Sequence, residues 1–195
     1  YDKLIPSFRG NIDTSIAVSD GWSIWSEPYT LSGELFKSPS PRRYTQLEVR
    51  LLSDDPAVSP TLSSLGINVE NPLALRTQGE IVPTRVEPGT EEEFSYFIRP
   101  TFGGRSQGFN SLSISASIPV HFTSLIIDGQ VVEAEMSPTE SGFVLQLPSL
   151  VRRESLIRID FRSTVYQNRT RFDAFLGNSN MGDQVRQFID AGDAN

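Results

Sequence analysis

Residues 111–118 read Ser111-Leu112-Ser113-Ile114-Ser115-Ala116-Ser117-Ile118. Every second side chain is apolar, and every other one is a serine. Successive side chains of an extended chain point to opposite faces, so Leu112, Ile114, Ala116 and Ile118 share one face. The alternation predicts a half-buried strand with a wet outer face. The same spelling recurs further along. Ile157, Ile159 and Phe161 alternate with Arg158, Asp160 and Arg162, and Phe143, Leu145 and Leu147 form a third set. Between them, Asp128-Gly129 separates Leu125-Ile126-Ile127 from Gln130-Val131-Val132. Both central positions of a type I′ turn take positive φ, which Asp and Gly tolerate, so a tight hairpin is predicted there.

Further strands are predicted at 81–86, 93–99, 170–176 and 184–189. The stretch 183–189 is read as a strand, and no helix of ten residues is predicted. Seven or eight short strands over roughly 110 residues is the number an immunoglobulin-like sandwich needs. Upstream, strands are predicted near 22–30, 43–52 and 62–69, with Pro39, Pro41, Pro56 and Pro60 in the gaps. Proline cannot donate to a ladder. Three to five strands make a poor closed sandwich, so this part either begins upstream of Tyr1 or completes a sheet with the second part. The expectation is therefore an all-β chain of two modules. Residues 1–72 form a β-sandwich module, either truncated at its N-terminus or completed by the second part. Residues 73–195 form an immunoglobulin-like β-sandwich ending in an acidic linker. Tyr1 and the closing Asp190-Ala191-Gly192-Asp193-Ala194-Asn195 read as the ends of an internal piece of a longer chain.

Composition narrows the function classes. The 195 residues contain no cysteine, which excludes disulfides, thiolate metal sites and a cysteine nucleophile. The single histidine, His121, excludes a multi-histidine metal site. The net charge is −7 with no basic cluster, so neither nucleic acid nor an anionic membrane surface is an expected partner. No run of 18 apolar residues exists, so no membrane-spanning helix is expected.

Trp22, Trp25 and Tyr29 are the candidate ligand-binding residues, because aromatic faces match the apolar face of a sugar ring. The large area these rings bury favours core or inter-module packing instead. Asp54 and Asp55, with Asp190 and Asp193 in the acidic tail, are the candidate calcium ligands. Calcium takes six to eight oxygens, so turn capping and a solvated linker are the favoured readings, and no cofactor is otherwise expected. The glycine-rich 101–109 loop lacks the Gly-Lys-Ser/Thr ending of a phosphate loop. Its Phe102, Arg105 and Phe109 are the candidate protein-contact residues. Glu91-Glu92-Glu93 reads as a wet strand edge. His121 beside Pro119, with no Gly-x-Ser-x-Gly elbow, gives no catalytic assignment. Asn168-Arg169-Thr170 matches a glycosylation sequon.

The first module carries Trp22-Ser23-Ile24-Trp25-Ser26-Glu27-Pro28-Tyr29, then Arg42-Arg43-Tyr44-Thr45-Gln46-Leu47-Glu48-Val49-Arg50, then Ser53-Asp54-Asp55-Pro56 and Leu65-Gly66-Ile67-Asn68-Val69. This string resembles a module of large secreted multidomain proteins of environmental bacteria, and distantly the discoidin jelly roll. The resemblance covers residues 20–70. It implies a secreted or cell-surface setting and a β-sandwich, and no reaction. The expected function is a non-catalytic structural or interaction module serving as spacer, adhesion or assembly element. Its partners would be neighbouring modules, other copies or glycans. A carbohydrate-binding module and an accessory domain of an exported enzyme are the alternatives.

Overall fold

The computed structural model describes residues 22–39, 42–55, 57–167, 169–181 and 185–194. Contacts divide the chain into two units, Tyr1–Ser38 and Pro39–Asn195. All strands among the described residues lie in the second unit. They are β1 (Arg76–Val82), β2 (Glu91–Thr101), β3 (Phe109–Ala116), β4 (His121–Ile127), β5 (Gln130–Val131), β6 (Glu135–Thr139), β7 (Gly142–Val151), β8 (Ile157–Thr164), β9 (Phe172–Gly177), β10 (Arg186–Phe188) and β11 (Asp190–Ala191). One sheet runs β11-β1-β2-β8-β4-β5 and the other β10-β9-β3-β7-β6. The second unit is an all-β sandwich, and its helical content among the described residues is one 3-10 turn at Ser179–Met181.

Period-two spelling explains why these runs form strands and which face each one buries. The serine-rich run is β3, the central strand of the five-stranded sheet. Leu112 stands between Leu145 and Leu176, and Ile114 between Phe143 and Ala174. All six are essentially inaccessible to solvent, while Ser111, Ser113 and Ser115 face outward and are half-buried. In the opposing sheet the register sets Phe94 against Phe161 and Tyr96 against Ile159. The Asp128-Gly129 turn takes φ of 50° and 80°, which joins β4 to β5 by the predicted two-residue hairpin.

The two sheets share one core. At its centre is an aromatic cluster drawn from both layers. Phe161 lies 5.6 Å from Phe94, 5.3 Å from Phe172 and 6.4 Å from Phe143. Such pairs add roughly 0.5–1.5 kcal/mol each beyond their buried area. A second device fixes the entry to the sandwich. The buried Gln187 side chain accepts from Ala74 N–H at 3.0 Å and donates to Ala74 C=O at 2.8 Å. This clamps the chain before β1 onto β10, and it buries Leu73 and Ala74.

Three expectations fail. The strands read at 22–30, 43–52 and 62–69 do not form, and no strand precedes Arg76 among the described residues. Every described residue from 42 to 71 is exposed. A strand needs a neighbour to take its N–H and C=O groups, and alternation alone supplies none. The acidic tail is also not a solvated linker. Asp190–Ala191 pair in parallel with Gln78 and Gly79, Gly192 N–H donates to Gly79 C=O at 3.0 Å, and Ala194 is buried. Finally, the predicted 81–86 strand lies further upstream, as β1, with Pro83 just past its end.

Candidate functional site

The aromatic trio lies in the first unit, in chain without regular structure. Trp22 and Trp25 are each 48% exposed, so neither is a core side chain in the described residues. Tyr29 is committed locally. Its hydroxyl accepts from Lys37 N–H at 2.8 Å, and the Lys37 ammonium stands 4.9 Å from its ring centroid. Glu34 completes this turn. Its carboxylate accepts from the N–H groups of Thr30 and Leu31 and pairs with Lys37 at 2.5 Å. Those donors, led by Lys37, hold the carboxyl down at about 2.

The four aspartates do not gather. Asp55 accepts from Ala57 N–H at 2.8 Å, the turn-capping geometry that such a residue adopts before a proline. Asp190 is engaged at both oxygens by the Arg42 guanidinium, at 2.7 and 2.8 Å. This bidentate pair raises the Arg42 pKa and ties residue 42 to β11. No group of three or more histidine, cysteine, aspartate or glutamate side chains arranged to hold a metal occurs among the described residues.

The 101–109 loop is internally built. Gly103 N–H donates to Ser106 Oγ and Ser106 N–H to Gly103 C=O, both at 2.9 Å. Gln107 and Gly108 N–H groups bond to Pro72 and Leu73 carbonyls, also at 2.9 Å. Phe109 is fully buried and stacks on Phe102 with ring centroids 6.2 Å apart. Phe109 is thus a core residue, not a surface contact, because a register shift between Phe109 and Ser111 breaks the alternation that would have set it on the outward face of Ser111 and Ser113. Arg105 stands exposed at the loop tip.

His121 opens β4, is exposed, and stands opposite Arg162. Glu91 and Glu93 lie exposed at the start of β2. Asn168 of the sequon lies outside the described residues. Asp160, read as outward-facing, does face outward, yet it is only 6% exposed. Ser95 Oγ and Ser124 Oγ each donate to it at 2.7 Å, and Arg158 Nε stands 3.2 Å away. This row crosses β2, β8 and β4 and acts as a polar clip on the outer face. The cross-strand partners of β8 carry the serines, a relation no linear motif displays.

Sequence reading also missed a cleft of about 600 Å³ between the β4–β5 turn, the end of β7 and the β7–β8 loop. Ile127, Val132 and Leu147 are among its apolar lining, and Arg152, Arg153 and Ser155 also line it. The one available signal was Arg152-Arg153, a cationic pair in an acidic chain, directly after an apolar strand. No helix among the described residues is long and apolar enough to cross a membrane. No protein-family model matches the chain, and no curated protein matches it.

Proposed function

We propose that the chain is a non-catalytic structural and interaction module of a secreted or cell-surface protein, working as a spacer, adhesion or assembly element. One observation carries this reading. A sandwich with its own core sits in the same chain as a strand-spelled segment whose apolar side chains are exposed among the described residues. Leu47, Val49 and Leu51 are 45%, 48% and 53% exposed, and Leu65, Ile67 and Val69 share that condition. Alternating apolar side chains left in water along two strand-spelled runs favour a partner that would cover them. In this reading residues 43–52 and 62–69 become strands when a neighbouring module or another copy offers a sheet, through β-strand addition. This is the discoidin-like part of the molecule. The second unit fits an immunoglobulin-like sandwich, supported by strand orders β1-β2-β8-β4 and β10-β9-β3, which follow the A-B-E-D and G-F-C orders of that fold. The reading needs neither catalysis nor a cofactor, and the secreted setting rests on the resemblance of residues 20–70.

Sedimentation velocity over increasing protein concentration tests it. Self-association is expected, and a Val49→Asp, Ile67→Asp double variant should abolish it while keeping the thermal melt of the sandwich. A chain that stays monomeric throughout, with the variant indistinguishable from it, contradicts assembly through this segment. The half-exposure of Trp22 and Trp25 favours glycan binding as a second reading. Affinity-gel retardation that is lost in Trp22→Ala and Trp25→Ala would support it.

A further inference from the structure

The cleft at the β4–β5 end of the sandwich carries an inference that does not depend on the 42–71 segment. We propose that it binds a carboxylated sugar, a hexuronate unit of an acidic glycan. Its volume of about 600 Å³ falls in the range of small-molecule sites, roughly 300–1,000 Å³. Ile127, Val132 and Leu147 offer an apolar wall of the sort that receives the C–H face of a pyranose.

Charge selects the ligand. The chain carries −7 overall, yet this cleft is lined by two arginines and one acid. The acid is Asp128, whose Oδ1 already accepts from Leu156 N–H at 2.9 Å. Arg152 is partly engaged, donating from Nε to Gln107 C=O at 3.3 Å. Arg153 is exposed and has no hydrogen-bond or ion-pair partner among the described residues. A guanidinium fork matches a carboxylate in two parallel hydrogen bonds. One free fork and one neighbouring carboxylate favour a ligand bearing a single negative charge rather than a phosphate cluster.

Gln130 and Ser149 offer polar contacts around the apolar wall. Ser155 also lines the cleft, but its Oγ is closed off from solvent and offers a ligand no hydrogen bond.

Isothermal titration calorimetry with a galacturonic acid trisaccharide tests the proposal, with the neutral galactose trisaccharide and acetate as comparisons. Saturable binding of the uronate is expected, with the neutral sugar and acetate each at least about tenfold weaker. Raising the salt from about 0.05 M to about 0.5 M should weaken it further. Arg153→Gln should lose about tenfold in affinity at an unchanged melting temperature. Arg105→Gln, and the Trp22→Ala, Trp25→Ala pair, should bind as the parent does, which separates this site from a tryptophan platform. Equal affinity for charged and neutral sugars, unchanged binding in Arg153→Gln, or no saturable binding of the uronate overturns the proposal.

Discussion

Leu112 and Ile114 are read from the same pattern as Leu47, Val49 and Leu51, and they end in opposite conditions. The first pair is sealed between neighbouring strands, with at most 1% of its surface exposed. The second set stands about half in water. Alternation decides which side chains would share a face. Whether a strand exists is decided by partners on both flanks and a second layer above, as β7, β9 and the opposing sheet provide for β3. The difference teaches that residues 42–71 have the local spelling of a sheet and lack its non-local half.

Mutation should reproduce this contrast. Phe161→Ala removes a fully buried ring that packs against rings of three other strands, and it should lower unfolding free energy by roughly 3–5 kcal/mol. Val49→Asp, in the matching pattern upstream, should change it by less than about 0.5 kcal/mol. Chemical denaturation followed by tryptophan-independent circular dichroism checks both. Equal losses would erase the distinction between the two regions. Gln187→Leu should come next, at about 2 kcal/mol, because it strands the buried N–H and C=O of Ala74. The same measurement reads it, and faster proteolysis near residue 74 should accompany the loss.

pH offers two gentler probes, one in each unit. Tyr96 is buried beside Asp173, and burial pushes its phenol up to about 12 from 10.0. The unfolded chain therefore loses this proton first. The contribution of Tyr96 is fully present below pH 10 and is lost as pH rises through about 12, which tyrosinate absorbance alongside circular dichroism would show. Glu34 works in the opposite sense. Its carboxyl is held at about 2 against an ordinary 4.5, so its ordering of the 29–37 turn is present above 4.5 and is lost as pH falls through about 2. NMR titration of the Glu34 side chain should give that midpoint, with little effect on the sandwich.

Much of the second unit was legible. Residues 111–118, 143–147 and 157–161 announced their strands and inward faces, and Asp128-Gly129 announced its turn, because each signal is carried by adjacent residues. The failures share one physical cause. Gln187 meets Ala74 across 113 residues, and Ser95 and Ser124 meet Asp160 across 65 and 36. Asp190 meets Arg42 across 148. Such pairings follow from strand order and register, which a linear pattern does not contain. The cleft was hidden for the same reason, since the β4–β5 turn and the β7–β8 loop meet only in the folded sandwich. Of the site candidates, only the surface position of Arg105 and the turn-capping role of Asp55 could be read from local residues.

Backbone amide hydrogen exchange on the dilute chain tests the central contrast most directly. Amides of β2, β3 and β8 should exchange through global unfolding, while those of 43–52 and 62–69 should exchange as fast as unstructured peptide. Protection of 43–52 and 62–69 equal to that of β3, in the absence of any partner, would contradict the account.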